Sequence, residues 1–391
     1  MAKRVGMEVS IAAAEVVGMA DVDVVPAYPI TPQTHIVEHL SELVASGHLD
    51  AEYVTVESEH SAMSTCVGAS ATGARVFTST SSQGYALMSE ICYIAASLRL
   101  PIVMAVANRA LSGPINIWND HGDLMMSRDT GWIQTVAENG QEVLDLLLHA
   151  FRVAEDPRVM LPMIVNLDGF ILSHMIEPMM MPEKEEVDRY LPPFNPTRRL
   201  DPRQPITMGP VGMPDVYTES KKAHDEALKA AKPIIIDAWK TFGDQFGRHY
   251  KPVETYKAEG ADYLLITMGS ISETAMTAID ALRAAGKSVG LVRLRLWRPF
   301  PIEELFEAVK GAKAIGVVDR VVALSGGSGP VCLEVKAALY DRKFHPYMQN
   351  YIAGLGGRDV TVEVFEDMAN MLIAAHDRGD PMGYEIINVK E

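Results

Sequence analysis

The sequence is poor in cysteine, has no excess of positive charge and contains no long apolar run. Its three cysteines, Cys66, Cys92 and Cys332, are odd in number and far apart, and no Cys-x-x-Cys occurs. The chain itself is therefore expected to ligate no iron–sulfur cluster, and its thiols read as buried small hydrophobes in a reducing cytoplasmic setting. Lys and Arg number 35 against 51 Asp and Glu, a net charge of −16, which argues against nucleic acid or an anionic membrane as a partner. No uncharged apolar run approaches the ~18 residues of a membrane span. The apolar stretch after Lys3 and Arg4 is broken by Glu8, Glu15 and Asp21, too often for a signal peptide. Neither Gly326-Gly327-Ser328-Gly329-Pro330 nor Gly354-Leu355-Gly356-Gly357 spells a dinucleotide or P-loop fingerprint. Both read as turns and subunit-contact loops, which disfavours a nicotinamide-dependent dehydrogenase. His121 lies between Asp120 and Asp123 with no second His at ligand spacing, so a hydrogen bond rather than a metal is expected there, and no metal site is expected on the chain.

What is present is an alternation of apolar runs and amphipathic stretches. With 391 residues and 48% apolar content the chain can bury a large core and divide into two or three domains. Strands are expected at Val22–Tyr28, Glu52–Val56, Arg75–Thr80, Ile102–Ala107, Ile133–Ala137 and Met163–Leu167. Helices are expected between them, the first starting at Pro32 with Thr31 as its cap. The nearly pure apolar run of 102–107 suits a central parallel strand, and the whole suits a doubly wound module. From Met179 the texture turns to Met, Pro and Gly, an extended connector followed by a charged helix over 217–246. A second β/α alternation then begins, so the division expected is 1–178, 179–254 and 255–391.

Three strand ends in the first module carry residues that outline a ligand crevice. The turn Tyr28-Pro29-Ile30-Thr31-Pro32 offers a stiff backbone and the Thr31 hydroxyl, which can cap the next helix and also donate to a ligand. Glu59, after Val56-Glu57-Ser58, opens a helix. It either stabilises the helix dipole alone or, in a crevice, hydrogen-bonds the pyrimidine nitrogen of thiamine diphosphate and helps the ring's amino group act as an internal base. Arg109 follows the central strand, where a guanidinium fork suits a carboxylate. The loop behind it, with Ser112, Asn116, Trp118, Asn119, Asp120, His121 and Asp123, is too polar and aromatic for a plain connector.

These segments resemble the alpha subunits of 2-oxoacid:ferredoxin oxidoreductases, those acting on pyruvate most closely. The resemblance rests on Tyr28–Pro32, Val56–Ala62, Gly68–Gly73 with Arg75–Thr78, Arg99-Leu100-Pro101, Asn108–Asp123 and Arg128–Gln134. In the second half it rests on Thr267–Ser270, Arg298–Pro301 and Tyr351–Asp359. It implies an α/β fold, a doubly wound pyrimidine-side module for thiamine diphosphate followed by a transketolase-C-terminal-like α/β domain. It implies Glu59, Tyr28 and Pro29 at the cofactor, and Thr31, Arg109, Ser112 and Asn116 at the substrate, with Glu59, Arg109 and Thr31 as the catalytic set. Thiamine diphosphate would be shared with a beta subunit holding the diphosphate and Mg²⁺, since no Gly-Asp-Gly occurs here. The 4Fe-4S clusters would lie on partner subunits of gamma and delta type, with ferredoxin as electron acceptor and CoA as co-substrate. Gly113 stands where pyruvate-type relatives commonly carry Ala, so two substrates stay open: pyruvate, and a bulkier 2-oxoacid such as phenylglyoxylate. A non-catalytic scaffold subunit is the remaining alternative.

Overall fold

The computed structural model describes residues 3–196 and 198–390. The first sheet follows from the apolar runs. Val103–Asn108 and Met163–Asp168 are buried at every position and lie parallel at its centre, as expected of strands covered on both faces. Phe77–Thr80 and Ile133–Val136 flank them in parallel. Val24–Ala27 pairs in parallel with Glu52–Thr55 and touches this sheet through a bridge from Val24 to Val76. One face is covered by the helices Val9–Met19 and Gly140–Ala154, over which the second half of the long helix Pro214–Phe246 lays Ala231, Ile235, Trp239 and Phe242. The other face is covered by Glu59–Thr72 and Ser82–Ser97, which bury Met63, Cys66, Tyr85, Met88 and Cys92. All three cysteines are buried and free, as the sequence suggested.

The second half forms a six-stranded sheet in the order Tyr384–Ile386, Tyr347–Ile352, Ala314–Asp319, Tyr263–Met268, Val289–Leu294 and Val253–Tyr256, parallel except for the last. Several elements differ from expectation. Lys3–Glu8 is a strand, and it pairs antiparallel with Ile176–Met181, so the methionine run at the start of the expected connector is sheet. The helix Val9–Met19 buries seven of its residues, and with almost no polar face it shows no helical periodicity in sequence. The apolar run of 289–296 breaks at Arg295, and Leu296–Arg298 crosses over to pair with Ile133–Val136 of the first sheet.

That crossover carries a buried ionic hub. Arg295, 2% exposed, donates from Nη2 to Glu142 Oε1 at 2.6 Å and from Nη1 to Glu254 Oε1 at 3.1 Å. It also lies over the Tyr250 ring at 5.0 Å, and the adjacent Arg293 pairs with Glu138. Removing the cation leaves carboxylates buried without a counter-ion, which typically costs about 3–5 kcal/mol. Arg295→Met is expected to lower unfolding stability by about that much in denaturant melts. Arg295→Met combined with Glu142→Leu should recover part of the loss, because replacing a buried pair by apolar groups is often neutral while the less buried Glu254 still lacks its cation.

Candidate active site

The carboxyl ends of Val24–Ala27, Glu52–Thr55, Phe77–Thr80 and Val103–Asn108 open on one edge, where open parallel sheets bind ligands. At the third strand end the chain turns sharply. Ser82 is buried with φ +45°, a left-handed conformation uncommon for a side-chain residue. It is held there by Asp123, whose Oδ2 accepts from Ser82 N at 2.9 Å, and by its own hydroxyl donating to Ala110 O at 2.7 Å. Asp123 Oδ2 also accepts from Arg109 N at 3.0 Å, and Oδ1 accepts from Asn108 Nδ2 at 2.8 Å and Leu124 N at 2.7 Å. Burial pushes the Asp123 carboxyl up to about 7, with these donors opposing it. One fully buried carboxylate thus fixes two strand ends against each other.

The sharp turn brings Gly84 against Glu59. Ser58 caps the helix Glu59–Thr72, its Oγ accepting from Ser61 N, and Glu59 is its first residue, 6% exposed. A Cβ on Gly84 would stand 2.4 Å from Glu59 Oε1 and 2.7 Å from Thr80 Oγ1. The Glu59 side chain makes no hydrogen bond or ion pair among the described residues, and the buried Thr80 hydroxyl has no partner either. An unpaired buried carboxylate, an orphan hydroxyl and a bare backbone form a cradle suited to a planar nitrogen heterocycle, and they fit the pyrimidine end of thiamine diphosphate. No phosphate cradle accompanies them in sequence, and the described residues contain no group of three or more His, Cys, Asp or Glu able to hold a metal ion.

The other residues expected at the site divide into two groups. Arg109, Thr31 and Asn116 come together: the 7%-exposed Arg109 donates from Nη1 to Thr31 O and from Nε to Asn116 O, each at 2.9 Å. Three guanidinium N–H groups remain for a ligand. Burial lowers the affinity of Arg109 for its proton, and the nearby Asp123 opposes this. Ser112 is exposed, and Asn116 spends its side chain on Gly356 O at 3.1 Å and Trp118 N at 2.6 Å. Tyr28 and Pro29 are exposed at the mouth.

Thr31 is not the helix cap. The helix runs Thr34–Ala45, and Gln33 precedes it. Gln33 N closes a turn onto Ile30 O, while its buried side chain donates to Tyr28 O at 2.9 Å, which delays the helix and leaves the Thr31 side chain exposed. His121 does hydrogen-bond, through Nε2 to Asp168 Oδ1 at 2.9 Å. The glycine turn at 354–357 packs within this chain, against Asn116 and Trp118. Gly113, with φ +120°, has no atom within 4 Å of where its Cβ would be. Its missing methyl therefore shapes no wall of this chain, and Gly113→Ala would report backbone strain rather than pocket size. Sequence reasoning missed Gly84 and the organising role of Asp123. The run Ser81-Ser82-Gln83-Gly84 directly after a strand was the available signal for the former.

Residues 15–239 match the family described as pyruvate flavodoxin/ferredoxin oxidoreductase, thiamine-diphosphate-binding, and residues 261–365 match pyruvate:ferredoxin oxidoreductase core domain II. The chain is 50% identical over 369 residues to pyruvate synthase subunit PorA of Methanocaldococcus jannaschii, covering 94% of each. It is 47% identical over 359 residues to ketoisovalerate oxidoreductase subunit VorA of Pyrococcus horikoshii, covering 90% of each. Among solved structures, 2-oxoglutarate:ferredoxin oxidoreductase from Magnetococcus marinus superposes with a TM-score of 0.71 at 19% identity, over 95% of this chain and 65% of that one. An inactive split-gene transketolase tetramer superposes with a TM-score of 0.54 at 15% identity, over 94% of this chain and 97% of that one. These two likenesses establish the doubly wound α/β fold. With the sequence matches spanning nearly the whole length, the chain belongs to the pyruvate flavodoxin/ferredoxin oxidoreductase family.

Proposed function

We propose that the chain is the alpha subunit of a heteromeric 2-oxoacid:ferredoxin oxidoreductase, converting a 2-oxoacid, pyruvate in the best-supported case, and CoA to the acyl-CoA and CO₂. Family membership supplies the reaction class. The observation that carries this chain's own share is the uncommitted, buried Glu59 facing the bare Gly84, a device for which a scaffold subunit has no use. Bound thiamine diphosphate supplies the electron sink that carbon–carbon cleavage requires. Glu59 accepts or shares a proton at the aminopyrimidine, beside the rigid turn of Tyr28 and Pro29. Arg109 meets the substrate carboxylate with its remaining N–H groups, and the exposed Thr31 hydroxyl hydrogen-bonds the substrate beside it. Ser112 and Asn116 form the loop over it, Asn116 chiefly by orienting Arg109. A beta subunit contributes the diphosphate and Mg²⁺ half, and electrons leave through 4Fe-4S clusters of gamma- and delta-type subunits to ferredoxin. No helix among the described residues is long and apolar enough to cross a membrane, in keeping with a cytoplasmic complex.

Two experiments test these assignments in the purified complex. Glu59→Gln keeps the shape and removes the charge, so 2-oxoacid-dependent ferredoxin reduction should fall ~10²–10⁴-fold with subunit composition unchanged. Gly84→Ala should reproduce part of that loss. Its Cβ would stand 2.4 Å from Glu59 Oε1 and 2.7 Å from Oγ1 of the stiff, β-branched Thr80, so both must shift, and that strain offsets the ~1 kcal/mol by which Ala favours the helix. Near-normal turnover in both variants would refute the cofactor assignment. For the substrate, charge-assisted bonds of about 1.5–3 kcal/mol correspond to roughly ten- to over a hundredfold in affinity. Arg109→Lys should raise the KM for pyruvate within that range and spare the affinity for thiamine diphosphate. The opposite pattern would make Arg109 a cofactor residue.

A further inference from the structure

We propose that Arg320, in the second α/β half, is a positioning residue for the substrate-binding loop, so that 2-oxoacid affinity is set partly by a side chain remote from the crevice. The proposal rests on the reading of Arg109 and its loop given above. Residues 109–121 leave the central strand at Asn108 and return at His121, and the return point is fixed by the second half of the chain. His121 N donates to Arg320 O at 2.9 Å. Its ring donates from Nε2 to Asp168 Oδ1 at 2.9 Å, and Asp168 Oδ2 receives the Arg320 guanidinium at 2.5 Å and Ser270 N at 2.9 Å. Asp168 is directly opposite Asn108 in the strand register, one residue from Arg109. Burial alone would raise its carboxyl, but Arg320 with His121 and Ser270 holds it well below the usual range, so it stays anionic.

The middle of the loop is fastened to the same half. Asn116 Nδ2 donates to Gly356 O at 3.1 Å, and Gly357 N donates to Asn119 O at 2.6 Å. The turn bearing these glycines packs on Arg320: a Cβ on Gly354 would stand 3.0 Å from Arg320 Nε. Arg320 is 1% exposed and, among the described residues, makes no hydrogen bond or ion pair with the crevice residues Glu59, Tyr28 or Thr31, so it acts through the loop and not on the ligand. Because Arg109 Nε is oriented by Asn116 O, a shift of the loop redirects the fork.

The test uses the purified complex carrying Arg320→Lys, Arg320→Met or Gly357→Ala. The last leaves the buried ion cluster intact, while its Cβ, at φ +81°, would stand 2.5 Å from Trp118 Cβ. KM and kcat for pyruvate, affinity for thiamine diphosphate, and amide hydrogen exchange over 110–121 are measured together. Couplings of this kind change affinity by about 3- to 30-fold. Arg320→Met and Gly357→Ala should raise the pyruvate KM within that range and accelerate exchange in the loop. Thiamine diphosphate affinity should stay within about twofold, and Arg320→Lys should fall between wild type and Arg320→Met because it keeps a cation beside Asp168. If Arg320→Met fails to assemble, Gly357→Ala and Arg320→Lys decide. A wild-type KM in either of these, or a raised KM without faster loop exchange, overturns the proposal. A wild-type complex that turns over no 2-oxoacid would contradict the functional reading instead.

Discussion

Asp123 is the group on which the geometry of the crevice depends. Its two oxygens accept from Ser82 N, Arg109 N, Asn108 Nδ2 and Leu124 N, and it lies fully buried where the carboxyl ends of two parallel strands meet the loop. By holding Ser82 in its left-handed turn it sets where the following helix begins, and therefore how close Gly84 comes to Glu59. By holding Arg109 N it sets where the guanidinium starts. The carboxylate proposed for the cofactor and the guanidinium proposed for the substrate are thus referred to one anchor.

The arrangement is, on the proposed function, half of a site, and its electrostatics agree with that. The chain has a surplus of sixteen negative charges, an uncommitted carboxylate in the crevice and no glycine-rich phosphate cradle. An anionic diphosphate has little to hold it here, whereas a neutral heterocycle with hydrogen-bonding nitrogens does. The second half of the chain reads most directly as support. Leu296–Arg298 extends the first sheet, Arg295 neutralises Glu142 beneath it, and Arg320 closes on Asp168 at the strand end.

Much of this was legible in sequence where one physical signal dominated. Runs such as 103–108 and 163–168 are buried on both faces and largely apolar without alternation, so their strands could be read directly. Edge strands were not. Lys3–Glu8, Val253–Tyr256 and Tyr384–Ile386 are short and partly exposed, and carry no such pattern. Thr31-Pro32 has the composition of a helix start, but the Gln33 bond to Tyr28 O, a contact outside the helix itself, moved it. Glu59 and Arg109 stand out as candidates in sequence because one opens the helix after a strand and the other directly follows one. Gly84 and Arg320 could not, since their importance comes from elements distant in sequence that meet only in the fold.

The central claim is that this chain carries the pyrimidine half of a thiamine diphosphate site and not the diphosphate half. Calorimetric titration of thiamine diphosphate with Mg²⁺ tests it most directly, comparing the chain alone with the chain assembled with the subunit that bears the diphosphate half. Saturable binding is expected from the assembled pair, weakened in Glu59→Gln, with no measurable heat from the lone chain at the same concentrations. Tight, Mg²⁺-dependent binding by the lone chain would contradict it.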